Sequence, residues 1–177
     1  MILNSESDKL QSLQELISLC SNIIDRITLF EPLESPPIEY SSFVLPSTDK
    51  NFSLPIKNYL LKIATVLDLD KETMILSMML LDRLLKMNSL FKLNDLTMHK
   101  TIFMCIMETV KFNDDNGFTN SSFAQAGGYD PSELLQMEID FLGLIEYNLN
   151  FGEKDFYSYQ DRMNKLWISW RVIINKL

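Results

Sequence analysis

The sequence predicts an all-α protein built as a bundle around one central helix, and three observations lead there. The stretch TIFMCIM (101 to 107) carries no charge on any face, and a helix that is apolar all round must be surrounded by other elements. Elsewhere apolar residues recur at helical spacing, with no competing alternation of period two. Proline, glycine and aspartate punctuate the chain between those periodic runs, where helices start and stop. At 177 residues and 46% apolar content the chain is sized for one domain, by the rule of ~100 to 200 residues each, and can bury a substantial core.

The elements follow in order. A first amphipathic helix is predicted from about Asp8 to Phe30, with Leu10, Leu13, Leu16, Ile17, Cys20, Ile23, Ile24 and Ile27 on one face. This face is expected to pack on the remainder, since it would otherwise be an exposed apolar patch. The next segment contains Pro32, Pro36, Pro37 and Pro46 without a sustained period, and reads as a connector crossing the surface. Pro55 suits the first turn of a helix reaching Leu67, because its missing N–H has no partner to lose there. Asp70 or a neighbour caps a helix through Lys86 that carries Met74, Met78, Leu81, Leu84 and Leu85. Thr97 opens the central helix, which ends near Asn113. A short helix over Asn120 to Ala126 stops at Gly127 and Gly128, and Pro131 starts another that reaches about Tyr147. The last helix runs from about Glu153 to the C-terminus through Phe156, Tyr159, Met163, Leu166, Trp167 and Trp170.

Two charges stand out against this background. Lys111 continues the row of Met104 and Met107, and Glu138 lies between Leu134 and Leu142, so each interrupts a stripe that otherwise faces a core. A charge is costly to bury alone. Each needs a partner, either the other or a group on another protein.

Other chemistry is excluded residue by residue. A net charge of −8, with no basic block, argues against a nucleic-acid-binding surface. Cys20 and Cys105 lie in apolar helical surroundings and read as reduced core cysteines of an intracellular protein. The N-terminus lacks the basic and apolar regions of a secretory signal, and no run approaches the ~18 apolar residues of a membrane span, so no membrane association is expected. His99, the single histidine, reads as a surface or capping residue rather than a ligand or base. The run from Asn113 to Gly117 invites a calcium loop, but placing Gly117 sixth puts Phe112 first and Phe123 twelfth, where the loop needs carboxylates. Asp114 and Asp115 have no second acidic cluster to share a magnesium ion with, and Gly127 and Gly128 have no neighbouring lysine to make a phosphate cradle. No catalytic residue, cofactor site or metal site is expected.

The segment from about Ser53 to Asn150 resembles the cyclin box, in particular that of the P-type and U-type cyclins related to fungal phosphate-signalling cyclins. The resemblance rests on Lys111, Phe112, Asp114, Asp115, Asn120, Phe123, Ala124, Gly127, Gly128, Glu133, Leu134, Glu138, Phe141 and Leu142, which occur in the family's order. Upstream, LLDRLL (80 to 85) is similar to the Asp-Arg motif of the second box helix, and LCSNIIDRITLFE (19 to 31) resembles the helix preceding the box. The resemblance implies a single five-helix cyclin box over 53–150. It would be flanked by an N-terminal helix and Pro-rich connector over 1–52 and a C-terminal helix over 151–177, with too few residues after Asn150 for a second box. It implies a non-enzymatic regulator that binds and activates a cyclin-dependent kinase, in the nucleus or the cytoplasm. Lys111 and Glu138 would contact the kinase around its mobile C-helix, with Phe112, Asp114 and Asp115 also on the kinase-binding face. The C-helix glutamate must pair with the kinase's ATP-binding lysine for phosphoryl transfer, so such docking would act by selecting the competent conformation.

The chain departs from cell-cycle cyclins in two places. Where they carry an arginine that pairs with the aspartate of the Asp-Arg motif, this sequence has Ser53, so Asp82 must find other donors. Their substrate-docking patch would fall near Phe52, Ile56 and Tyr59, residues that equally suit ordinary packing. Gln125 stands where P-type and U-type cyclins often have a basic residue. The alternative function is an all-helical adaptor or scaffold with the same fold and no kinase partner. Adaptors of this fold in transcription initiation carry basic surfaces and paired boxes, unlike this acidic chain.

Overall fold

The computed structural model describes residues 11–33, 37–45, 54–113 and 117–174. Seven α-helices account for most of them: α1 (Leu13–Thr28), α2 (Ile56–Val66), α3 (Lys71–Met87), α4 (Met98–Asn113), α5 (Asn120–Gly127), α6 (Pro131–Leu144) and α7 (Glu153–Ile174), with a 3₁₀ helix over Ile38–Phe43. The all-α expectation holds, and the five helices α2 to α6 form the box.

Local chemistry sets the helix ends. Ser12 and Glu15 form a reciprocal capping box at the start of α1, and this satisfies backbone N–H groups that the helix leaves without carbonyls. Helix α1 therefore begins at Leu13, and it ends at Thr28, leaving Leu29 and Phe30 outside it and exposed. Asp70 caps α3 by accepting from the Thr73 N–H at 2.7 Å. Asp130 caps α6 by accepting from the Ser132 N–H, with Pro131 in the first helical turn. Helix α6 stops at Leu144, short of the expected Tyr147, because Glu146 and Tyr147 adopt left-handed backbone conformations.

The two glycines ending α5 answer different demands. Gly128 closes the helix at φ 79°, where a side chain is strained. Gly127 admits close packing instead: a Cβ there would stand 2.5 Å from the Tyr129 ring and 2.8 Å from Phe103.

Helix α4 is the centre. Every residue from Met98 to Val110 is buried, and the helix packs against α3, α6 and the 3₁₀ turn, while α1 covers α2 and α3. The apolar centre of α4 thus behaves as its sequence requires. His99 does not lie on the surface as expected. It is fully buried, with Nε2 2.8 Å from the Leu54 carbonyl and its ring edge-on to Tyr59, so it pins the entry of α2 to the start of the central helix. The connector is also less superficial than its prolines suggest, because Phe43 and Leu45 enter the core. Cys20 and Cys105 are buried, free thiols, as expected. Leu166, expected on the packed face of α7, is half exposed.

The Asp-Arg pair divides its labour. Arg83 donates to the carbonyls of Asn148 and Asn150 and to Asn148 Oδ1, with its guanidinium 3.8 Å over the Phe151 ring. It clamps the link between α6 and α7. Asp82 instead faces Tyr159 and Arg162 of α7, with Lys86 of its own helix 3.9 Å away, and all three favour its charged form. Burial nevertheless outweighs these contacts and raises the Asp82 pKa. Ile56 and Tyr59 are buried and serve packing, while Phe52 lies outside the described residues.

Candidate docking face

Three short helical segments meet at the two charges singled out by the sequence. Lys111 occupies the last turn of α4, where a cation is favoured by the unpaired carbonyls. Its Nζ donates to Glu138 Oε1 on α6 at 2.6 Å. Asn120, the first residue of α5, donates its amide to the second carboxylate oxygen at 2.8 Å. Lys111 Nζ also lies 5.8 Å from the centre of the buried Phe123 ring. Of the two resolutions open from sequence, the pairing of Lys111 with Glu138 is present in the chain by itself.

The pair is not sealed in. The Lys111 and Glu138 side chains are 22% and 17% exposed, so each can be reached from solvent while keeping its internal partner. Phe112 beside Lys111, and Leu135 and Ile139 flanking Glu138 on α6, are each about half exposed. The opposite side of α6 buries Leu134, Met137 and Phe141. Leu135 and Ile139, four residues apart, thus form a second apolar stripe that the fold itself does not cover. Asp114 and Asp115, expected on the same face, lie outside the described residues.

Behind the pair sits a residue that sequence reasoning did not single out. Glu108 is 3% exposed and its Oε1 has no hydrogen-bond partner. Its pKa is raised to about 7, first by burial and then by the negative charge of Glu138, with Lys111 acting in the opposite direction. Its sequence signal was its place three residues before Lys111, which puts both on one helical face. Asn120 was legible as part of a motif, but its role as second donor to Glu138 appears only in three dimensions.

Among the described residues no group of three His, Cys, Asp or Glu side chains could hold a metal ion. Nor is any described helix long and apolar enough to cross a membrane.

The described residues thus form a box of five helices whose central one is buried, with a charged pair framed by uncovered apolar side chains at one end. The cyclin family model matches residues 5–149, and the chain belongs to the cyclin family, among its P and U types. It is 29% identical to Cyclin-U4-3 of Arabidopsis thaliana over 60% of this chain and 49% of that protein. Identity to Cyclin-U4-2 of the same plant is 22%, over 89% and 74%. Cyclin-P4-1 of Oryza sativa subsp. japonica is 28% identical over 60% and 50%. The chain therefore spans about half the length of Cyclin-U4-3 and Cyclin-P4-1. The family is regulatory rather than catalytic.

Proposed function

We propose that this chain is the regulatory subunit of a cyclin-dependent kinase, which it binds and activates by docking around the kinase C-helix. The observation that carries the reading is the solvent-reachable Lys111–Glu138 pair framed by Phe112, Leu135 and Ile139. An interface needs an apolar centre to supply affinity and a few oriented polar groups to set register. This face offers both, and Asp114 and Asp115 directly follow its α4 edge in sequence. In this reading the box over 53–150 is the docking body, with 1–52 and 151–177 flanking it. The complex would work in the nucleus or the cytoplasm.

The test exploits the internal pairing of the two charges. Exchanging them in the double variant K111E/E138K keeps an ion pair between α4 and α6 but reverses the polarity shown to a partner. We expect the double variant to fold, by circular dichroism and thermal melt, and to lose binding and activation across a panel of purified cyclin-dependent kinases that the wild-type chain is titrated against. A folded double variant that binds and activates a kinase as wild type does would refute the docking assignment.

A further inference from the structure

Among the described residues, the cluster behind the docking face contains one more carboxylate than it has cations. Lys111 follows Glu108 by three residues on α4, near enough for its charge to act on that carboxyl, and it is bonded to Glu138 on α6. Both oxygens of Glu138 have donors, whereas Glu108 Oε1 is buried without one. Buried carboxylate oxygens ordinarily have partners, so an unpaired one beside a lysine that already has another partner calls for an explanation.

We propose that Glu108 is a second seat for Lys111, so that a docking partner can capture Glu138 with its own donor while Lys111 turns back one turn of α4 to the Glu108 carboxylate. The proposal rests on the docking reading and deepens it. Without the second seat, capture of Glu138 would strand a partly buried ammonium group. With it, docking becomes an exchange of one ion pair for two. The partner selected is one that presents a cationic or N–H donor to Glu138 beside an apolar stripe matching Phe112, Leu135 and Ile139. Glu108 is a positioning residue here, acting through Lys111.

The exchange has a proton signature. The groups that act on Glu108 are Lys111 on its own helix and Glu138 on α6. Asn120 of α5 is uncharged, and the buried Cys105 thiol is raised well above its ordinary value and stays protonated. In the free chain Glu108 titrates at about 7. Receiving Lys111 favours its ionised form, so docking releases a proton when it begins below that pH. Affinity is then constant above pH 7 and declines toward a limit of about tenfold per pH unit below it.

Two arms test this. In the isolated chain, carboxyl-resolved NMR titration follows Glu108 in E138Q and in K111M/E138Q. Both variants remove the Glu138 charge, so their midpoints differ by what Lys111 contributes: a small lowering in E138Q if it stays where it is, and one pH unit or more if it moves onto Glu108. A difference well below one pH unit would overturn the proposal. In the second arm, a purified cyclin-dependent kinase that the wild-type chain binds is titrated between pH 6 and 8. E108Q should flatten the pH profile and weaken affinity at pH 8 by about tenfold. An E108Q profile as steep as wild type, with K111E/E138K still unable to bind, would overturn the role of Glu108 and leave the docking face standing. Full binding by K111E/E138K would overturn the docking face and this proposal with it.

Discussion

Helix α4 reaches α6 through two lysine–glutamate pairs of equal length, and they have opposite characters. Lys100 and Glu133 stand 2.6 Å apart, as do Lys111 and Glu138. Lys100 is 4% exposed and also donates to the carbonyls of Ser42 at 3.2 Å and Val44 at 2.8 Å. Three acceptors meet the three N–H donors of its ammonium group. Lys111 has one carboxylate oxygen, a distant ring face and more contact with solvent. The difference shows what separates a fastener from a recognition group. A buried charge whose capacity is filled holds elements together. One with capacity left, beside apolar side chains that nothing covers, can accept a partner.

Neutralising each lysine should expose this difference most strongly. Lys100→Met would leave the Ser42 and Val44 carbonyls without their donor in a buried place and release the connector from α6. We expect a loss of roughly 2 to 4 kcal/mol. Lys111→Met, at a more exposed pair, should cost about 1 kcal/mol. Urea unfolding of both variants measures the two losses, and equal values would erase the distinction between the pairs.

Glu108 gives the next largest effect, seen as a dependence of stability on pH. Its pKa is about 7 in the folded chain against 4.5 for an ordinary glutamate. Between those values the folded state binds more protons than the unfolded one, so this group's contribution to stability falls as pH rises from 4.5 to 7 and is constant above. At about 1.36 kcal/mol per unit the difference is on the order of 3 kcal/mol. Other carboxylates titrate in the same range, so the measurement is the difference between wild type and E108Q, whose stability lacks this component. Parallel curves for the two proteins over pH 4.5 to 7 would show that the carboxyl is not held in a costly place.

The two pairs were not equally legible in the sequence. Lys111 and Glu138 were conspicuous because each breaks an apolar row, and period alone shows that. Lys100 was less so, because it stands at the start of α4 beside His99, where a polar neighbourhood suggests a surface. Both turned out buried: the connector folds over Lys100, whose ammonium reaches the Ser42 and Val44 carbonyls, and the entry of α2 covers His99 through Leu54 and Tyr59. Helical period carries no information about a long-range cover of that kind. The apolar centre of α4, the cap at Asp70, the helix start at Pro131 and the break at Gly127 and Gly128 were readable because each depends on local chemistry. The free oxygen of Glu108 depends on where α5 and α6 put Asn120 and Glu138, so no local pattern could reveal it.

The smallest expected change in the fold belongs to the side chains that make the comparison functional. Leu135 and Ile139 are half exposed on the outer side of α6, so Leu135→Ser and Ile139→Ser remove little that the isolated chain buries. We expect each to shift stability by no more than about 0.5 kcal/mol. If the face docks a kinase helix, the same methyl groups become buried in the complex, where losing a leucine-sized side chain costs roughly 1.5 to 3 kcal/mol. Affinity for a kinase that binds the wild-type chain should then fall more than tenfold while Lys111 and Glu138 remain paired. A serine at Leu166, also half exposed but on α7, serves as the control: it should leave both stability and affinity unchanged. Equal losses of affinity from Leu135→Ser and Leu166→Ser would mean that the apolar frame around the charged pair is ordinary surface.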